Sequence, residues 1–399
     1  MSQWSWRPLA EVCEINPRLP RGHDIDDEQQ VSFVPMAAVD AVSGTIATPQ
    51  NRPFAEVKKG YTHFRDGDVL FAKITPCMEN GKAAIAGNLV GGLGFGSTEF
   101  HILRSRREVL PAWLFYFVRR PSFRNEAKRN FTGTAGQQRV PTTFLSSTSI
   151  PVPPLPEQCR IVDLLSRAEG IVRLRREAER CAAELIPSLF LDQFGDPATN
   201  PKRWPVMTIG DLGRVQLGRQ RAPKYQTGAH THPYVRVANV YENRIDISDL
   251  LSMDFDDKDF AQYRLEYGDI LLNEGQSTEL VGRPAMWRDE IQDCCFQNTL
   301  VRFQPNPSSM NPEFALAALL HYYRSGALSH ISSKTSNVAH LGAGRFAKLT
   351  LYCPPLGEQR EFSSRFEDVR SIQSQQSAAT AKAQAVFDAL LAQAFSAPT

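Results

Sequence analysis

Two stretches of the chain carry a helical period of apolar positions. After Glu157, the residues Ile161, Leu164, Ala168, Ile171, Ala178, Ala182, Leu185 and Leu189 recur at steps of three and four, interrupted at Arg175. Phe362, Val369, Ile372, Ala379, Ala383, Val386 and Leu390 repeat the pattern in matching register, interrupted at Gln376. Sustained over about five heptads, this is the seam of a coiled coil. The 38 positions from Glu157 to Phe194 correspond to about 57 Å of helix at 1.5 Å per residue. That is longer than a small domain is wide, so the seam needs a partner, and the other such helix is the nearest one. Paired antiparallel, the first helix carries the chain from one domain to the next and the second carries it back. Pro187 predicts a kink near the end of the first.

The remaining pattern is of short β-rich runs, such as Val69–Ile74 and Ile270–Leu272, punctuated by Gly, Asn and Asp turns. An apolar helix with Pro in its first turn follows at Pro111 and again at Pro312. Then come a polar Gly/Thr/Gln/Ser segment, a strand-like run ("TSIPVP" or "LTLYCP"), and a proline element that launches the long helix. That element is PPLPEQ at 153–158 and PPLGEQ at 354–359. Its prolines hold the chain extended, and its Glu lies in the opening helical turn, where negative charge suits the helix dipole.

The sequence is therefore written twice. A displacement of 201 relates the two proline elements, GDVLFAK at 67–73 to GDILLNE at 268–274, and VPMAAVD at 34–40 to VRVANVY at 235–241. Near the start the displacement is 200, with LAEV at 9–12 answering IGDL at 209–212. An internal repeat decides the fold before any other feature. The expectation is an α+β chain with two similar mixed α/β domains, 1–155 and 197–356, and two long antiparallel helices, 156–196 and 357–399, arranged as a pseudo-two-fold. FGDPATNPKRW at 194–204 reads as the hinge into the second copy.

Composition changes this picture little. Hydrophobic residues make up 42% and charged residues 22%, ordinary for globular domains. No apolar run is long enough to span a bilayer and no secretory signal opens the chain. Seven scattered cysteines without a C-x-x-C pair indicate reduced thiols in a cytoplasm and no zinc site. The net charge of +2 is uninformative, but Arg104–Arg139 holds nine Lys or Arg against two Glu, and Asp246–Asp259 holds six Asp. Either run alone reads first as a solvated face. The basic one also permits nucleic-acid binding.

Two related but non-identical domains at a fixed separation suit a ligand with two sites at a fixed interval, and duplex DNA is the obvious case. Each domain would read a different half-site, leaving an unread gap set by the helices. The duplicated layout, both proline elements before long helices, LFLDQFGDPATNP at the junction, GFGSTEFHILR and ELVGRPAMW together resemble the specificity subunit of type I restriction-modification enzymes, over essentially the whole chain. The resemblance implies a non-catalytic DNA-recognition subunit reading a bipartite, asymmetric site. It also implies two methyltransferase subunits that bind S-adenosylmethionine, and restriction subunits that use ATP with Mg2+. In agreement, neither an Asn/Asp-Pro-Pro-Tyr/Phe tetrapeptide nor a G-x-x-x-x-G-K-[ST] loop occurs. GGLGFG at 91–96 precedes a strand and reads as a hairpin turn. A metal nuclease built on Glu56, Lys58 and Asp40 rests on a bare charged tripeptide, and no His lies in a metal-ligand pattern.

Residues able to reach bases or phosphates cluster after matching strands. In the first domain these are Lys73, Thr75, Asn80, Lys82, Gln137, Gln138 and Arg139. In the second they are Asn273, Gln276, Ser277, Thr278, Lys334, Thr335, Asn337 and His340, with Arg219, Arg221 and Lys224 on an earlier loop. Each could instead be a turn or capping residue. Glu99 and Asp68 read as loop organisers. The competing functions are a solitary DNA-binding or inhibitory relative, and a protein scaffold that never touches DNA. If the helices set the gap, deleting four residues from each should shorten it by roughly 6 Å, near 2 base pairs. Methylation mapping should then return the same two half-sites closer together; an unchanged gap would refute the idea.

Overall fold

The computed structural model describes residues 4–20, 22–47, 49–134, 137–221, 226–335 and 338–396. The chain divides into two compact units, 1–177 with 378–399, and 178–377.

In the first unit, Cys13–Ile15, Phe100–Ser105, Val69–Ala72 and Ala83–Ile85 form an antiparallel sheet in that order. A second sheet runs Gln50–Pro53, Gln30–Val34, Leu93–Gly96, Thr62–Arg65, with its central pair parallel. GGLGFG supplies the Leu93–Gly96 strand, so it is neither a hairpin turn nor a phosphate cradle. Ser5–Pro8 pairs antiparallel with Ser149–Val152, so the chain enters and leaves this body side by side. The second unit repeats the plan. Gly213–Leu217, Leu300–Pro305, Ile270–Asn273 and Pro284–Met286 form the first sheet, and Val206–Thr208 pairs with Thr350–Tyr352. Its second sheet holds Leu251–Asp254, Thr231–Val235 and Cys295–Phe296, again with one parallel pair.

The apolar helices Pro111–Arg119 and Pro312–Arg324 form the centre of each core. Where each meets its long helix, one glutamine of the proline element is fully buried. Gln158 accepts from Leu110 N (3.0 Å) and donates to the carbonyls of Glu108 and Pro153 (both 2.8 Å). Gln359 accepts from Asn311 N (2.8 Å) and donates to Ser309 O (3.0 Å) and Pro354 O (2.7 Å). Every partner is displaced by 201. The neighbouring Glu157 merely pairs with Arg160 on the surface.

The long helices are Leu155–Ala183, continued as Leu185–Phe194, and the unbroken Leu356–Ala394. The break at Glu184 follows from Pro187, which has no N–H to offer the carbonyl of Ala183. In the first unit Ile161, Leu165 and Val172 share a core with Phe387, Leu391 and Phe395, and Arg176 bonds Gln384 (2.9 Å). In the second, Ile186, Phe190 and Phe194 meet Phe362 and Phe366, with Gln373 on Ala182 O (2.7 Å) and Gln193 on Glu358 O (3.1 Å). The helices run antiparallel, as expected. The seam is corrected in detail: Leu164, Ile171, Leu185, Ile372 and Val386 are exposed, and Leu165, Val172, Ile186, Phe366 and Phe387 are buried in their place. Each helix packs on its own unit as well as on the other helix, so the buried stripe is wider than a two-helix seam and turns away from it.

Replacing Gln158 or Gln359 by Leu leaves three main-chain groups without their side-chain partner, at about 1–3 kcal/mol for each that solvent does not reach. We expect each variant to destabilise its own unit by about 3 kcal/mol in native-state hydrogen exchange, and Glu157→Gln to change it by less than about 0.5 kcal/mol. Equal effects of Gln158→Leu and Glu157→Gln would refute the role.

Candidate nucleic-acid interface

In the first unit, the loop after Val69–Ala72 meets residues 132 and 138–140. Ile74 bridges Arg139, and Arg139 bridges Thr132. Thr75 N donates to Gln138 O (3.0 Å) and Val140 N to Lys73 O (2.9 Å). The two groups of residues selected in this domain therefore form one edge. Gln137 and Asn80 are exposed; Lys73, Thr75, Lys82 and Gln138 are partly so. Lys82 Nζ donates to Met36 O (3.0 Å), and Thr75 Oγ1 donates to Glu79, which also pairs with Lys128.

Arg139 organises this edge more than it extends from it. Its Nε and Nη2 each donate to Glu99 at 2.8 Å, and Nη1 donates to Gln137 O (2.8 Å). These bonds hold the Glu99 carboxyl below its usual range. Beside them His101 is buried, its Nε2 on Val140 O (2.8 Å) and its Nδ1 facing Asn16 Nδ2 (3.1 Å). Nε2 is therefore the protonated nitrogen, and the ring is neutral.

The second unit builds the same edge as a three-stranded ladder. Gly275 opposes His340, Gln276 opposes Ala339, and Ser333–Thr335 pairs with Val338–His340. The Ile74–Arg139 and Thr132–Arg139 bridges recur, displaced by 201, as Gly275–His340 and Ser333–His340. Glu274 anchors it, taking Gly342 N on its carboxylate (2.8 Å) and Leu341 N on its carbonyl (2.9 Å). Gln276, Ser277, Thr278 and His340 are partly exposed and Lys334 is exposed. Asn273 is a correction: it has no exposed surface, and its amide donates to Leu280 O (3.3 Å), closing the 277–280 turn from inside. Arg219 is another. Its guanidinium pairs with Asp259 and lies against Phe255, whereas Arg221 is exposed. Lys224, Asn337 and the side chain of Thr335 lie outside the described residues.

The charge runs also resolve. Within Arg104–Arg139, Arg104 pairs with Asp68, Arg119 with Glu169, Arg139 with Glu99 and Lys128 with Glu79, which uses up much of the basic excess internally. The acidic run consists mainly of turn and cap residues. Asp254 takes Gly228 N (2.6 Å) and the hydroxyls of Thr227 (2.9 Å) and Thr231 (3.0 Å). Burial alone would raise its pKa; the donated bonds bring it down to about 2. Asp256 caps Asp257–Tyr263. The nuclease arrangement dissolves, because Lys58 pairs with Asp27 (2.7 Å) and Asp40 accepts from its own turn at Val42 and Ser43. Among the described residues, no group of three His, Cys, Asp or Glu could hold a metal.

The sequence reading missed one aromatic cluster, a buried Phe33 with the exposed Tyr61 at its edge. Tyr61 stands edge-on to Phe33 (4.9 Å) and Arg52 lies 4.0 Å above the Phe33 ring. Aromatics with an arginine beside them are groups on which bases stack. In sequence they resemble any half-buried strand.

Taken together, the structure defines an internally duplicated α+β protein that presents the same hairpin edge twice with different side chains. Residues 1–179 and 201–381 each match the family described as Type I restriction modification DNA specificity domain, and the chain belongs to that family. It is 42% identical over 165 residues to the EcoEI specificity subunit of Escherichia coli and 41% identical over 160 residues to the EcoAI specificity subunit of the same species. These matches cover 41% and 40% of this chain and 27% of each relative, so the chain spans about a quarter of their length. A chain of a type I R-M system solved for its complex assembly and conformational transition superposes with a TM-score of 0.63 at 21% identity, covering 98% of this chain and 97% of that one. The S subunit from M. genitalium gives 0.55 at 14% identity, covering 99% and 97%. Both likenesses concern the fold.

His101 and the buried His63, whose ring nitrogens have no partner, are pushed down to about 4, chiefly by burial. The unfolded chain takes up these protons near pH 6.5, which the folded chain resists. Stability is therefore complete above that pH and falls as pH drops from 6.5 to 4, by about 2 kcal/mol per histidine by pH 5. Thermal melts should fall accordingly, and His63→Phe should flatten the profile; an unchanged slope in that variant would contradict the assignment.

Proposed function

We propose that this chain is the sequence-reading specificity subunit of a type I restriction-modification complex. Each unit reads one part of a bipartite, asymmetric duplex site through its hairpin edge, and the chain performs no catalytic step. The observation that carries this is a matched backbone with unmatched side chains. At equivalent positions stand Lys73 and Glu274, Thr75 and Gln276, Asn80 and Val281, Gln137 and Val338, Gln138 and Ala339, Arg139 and His340. An edge kept in place while its chemistry changes is what two different half-sites require, since bases are read by hydrogen bonds and apolar contacts in the grooves.

The proposed contacts are Lys73, Thr75, Asn80, Lys82, Gln137 and Gln138 in the first unit, with Arg139 positioning them. In the second they are Arg221, Gln276, Ser277, Thr278, Lys334 and His340. The recognition parts are 1–155 and 197–356, and the helical parts are 156–196 and 357–399. The apolar residues Leu164, Ile171, Leu174 and Val386, exposed on the helices of the first unit, suit docking of a methyltransferase subunit. S-adenosylmethionine would then belong to that partner, and ATP with Mg2+ to restriction subunits. Among the described residues no helix is long and apolar enough to cross a membrane, which accords with work on cytoplasmic DNA.

The test is co-purification with a methyltransferase subunit, followed by methylation mapping and binding titrations. We expect a split site and affinity falling steeply with salt. Gln276→Ala should relax preference in one half-site only, and Lys334→Ala should weaken all sequences alike and lower the salt slope by about one. DNA binding without methyltransferase association would favour the solitary relative. Association without DNA binding would favour the scaffold.

A further inference from the structure

A cleft of about 730 Å³ opens in the first unit beside residues 41–45, the helix Pro121–Arg129 and the paired long helices. Four arginines line it, Arg119, Arg124, Arg173 and Arg176, against two acids, Glu169 and Asp388. Both acids are already engaged. Glu169 takes Arg119 and the hydroxyl of Tyr116 (3.0 Å), and Asp388 accepts from the Gln384 amide (2.8 Å). Arg173 and Arg176 are exposed, and Arg176 reaches only the neutral oxygen of Gln384 (2.9 Å).

Arg124 is the telling group. Its Nη1 donates to a main-chain carbonyl, Glu79 O (2.8 Å), and its Nε is buried with no partner. A half-buried guanidinium with an unmet donor, close to the cation Arg119 and with Asp388, already engaged, as its neighbouring carboxylate, is short of negative charge. The backbone makes room for it. Gly81 (φ +81°) would place a Cβ 2.9 Å from Arg124 Nη1, and Gly44 (φ +64°) would place one 2.8 Å from Arg119 Nη1.

The duplication supplies an internal control. A cleft of about 820 Å³ occupies the equivalent place in the second unit. Leu320, Ser374 and Ser377 line it at the positions of Arg119, Arg173 and Arg176, and the residue matching Arg124 in sequence is Ser325. Its own Arg244, Arg324 and Arg370 are balanced by Glu179, Glu242 and Glu367. The cationic excess is therefore a property of the first cleft and not of the shared scaffold.

We propose that the first-unit cleft binds a small multivalent oxyanion, a ligand whose phosphate or carboxylate groups engage Arg124 from within and Arg173 and Arg176 from the solvent side. This goes beyond DNA reading and does not depend on it. The experiment is calorimetric titration of the full chain, at fixed ionic strength, with pyrophosphate and separately with citrate. Hydrogen exchange is followed over 121–129 and 166–176. We expect saturable one-site binding with protection of both segments, and the anion that binds identifies which oxyanion source the site takes. Arg124→Gln, and independently the surface pair Arg173→Gln with Arg176→Gln, should each weaken binding at least tenfold, while Lys258→Gln, at an exposed position of the other unit, leaves it unchanged. Absence of binding with both anions, or an equal loss in Lys258→Gln, would overturn the site.

Discussion

One buried amide on each long helix holds the protein in register. Gln158 and Gln359 each join three stretches of main chain: the loop before the apolar helix, the exit of the last strand, and the first turn of the long helix. A side-chain amide is suited to this because it offers an acceptor and two donors in one rigid plane. Its bonds to Pro153 O and Pro354 O are buried, so these matter more for what their loss would leave unpaired than for their own strength. The prolines before it keep the incoming strand extended, and so deliver the amide to the same place in both copies.

With that junction fixed, the rest of each unit is free to vary. Sheet order, the parallel pair and the hairpin edge recur in both copies, yet the acid beneath each edge differs in how it acts. Glu99 grips a guanidinium, whereas Glu274 takes a single main-chain amide, that of Gly342. A similar substitution occurs deeper in the fold. Asp68 pairs with Arg104 and Asp269 with Arg302, but Arg302 faces Leu271 whereas the matching residue in the first copy, Ile102, faces Leu70. The charge is kept while its origin on the strand moves by two residues.

Much of this was legible in the sequence. The constant displacement, the prolines at 111 and 312 and the three-and-four spacing gave the duplication, the apolar helices and the long antiparallel pair. The hidden part has a physical cause. Leu164 and Leu165 are adjacent and equally apolar, and only the direction of packing decides that Leu165 is the one inside. The same holds for Asn273, polar and strand-terminal yet sealed from solvent. It holds too for the arginines between 104 and 139, whose counter-ions Asp68, Glu99 and Glu169 lie 36 to 50 residues away. The glutamine of the proline element was in plain view, but no local pattern announces a residue that acts through backbone atoms 48 positions upstream.

The paired end strands have a consequence of their own. Because Ser5–Pro8 lies against Ser149–Val152, and Val206–Thr208 against Thr350–Tyr352, each of these bodies begins and finishes at one doorway. A body with adjoining ends is a cassette. Crossing over within the stretches that encode those doorways would exchange a whole body in a single event, leaving its interior undisturbed.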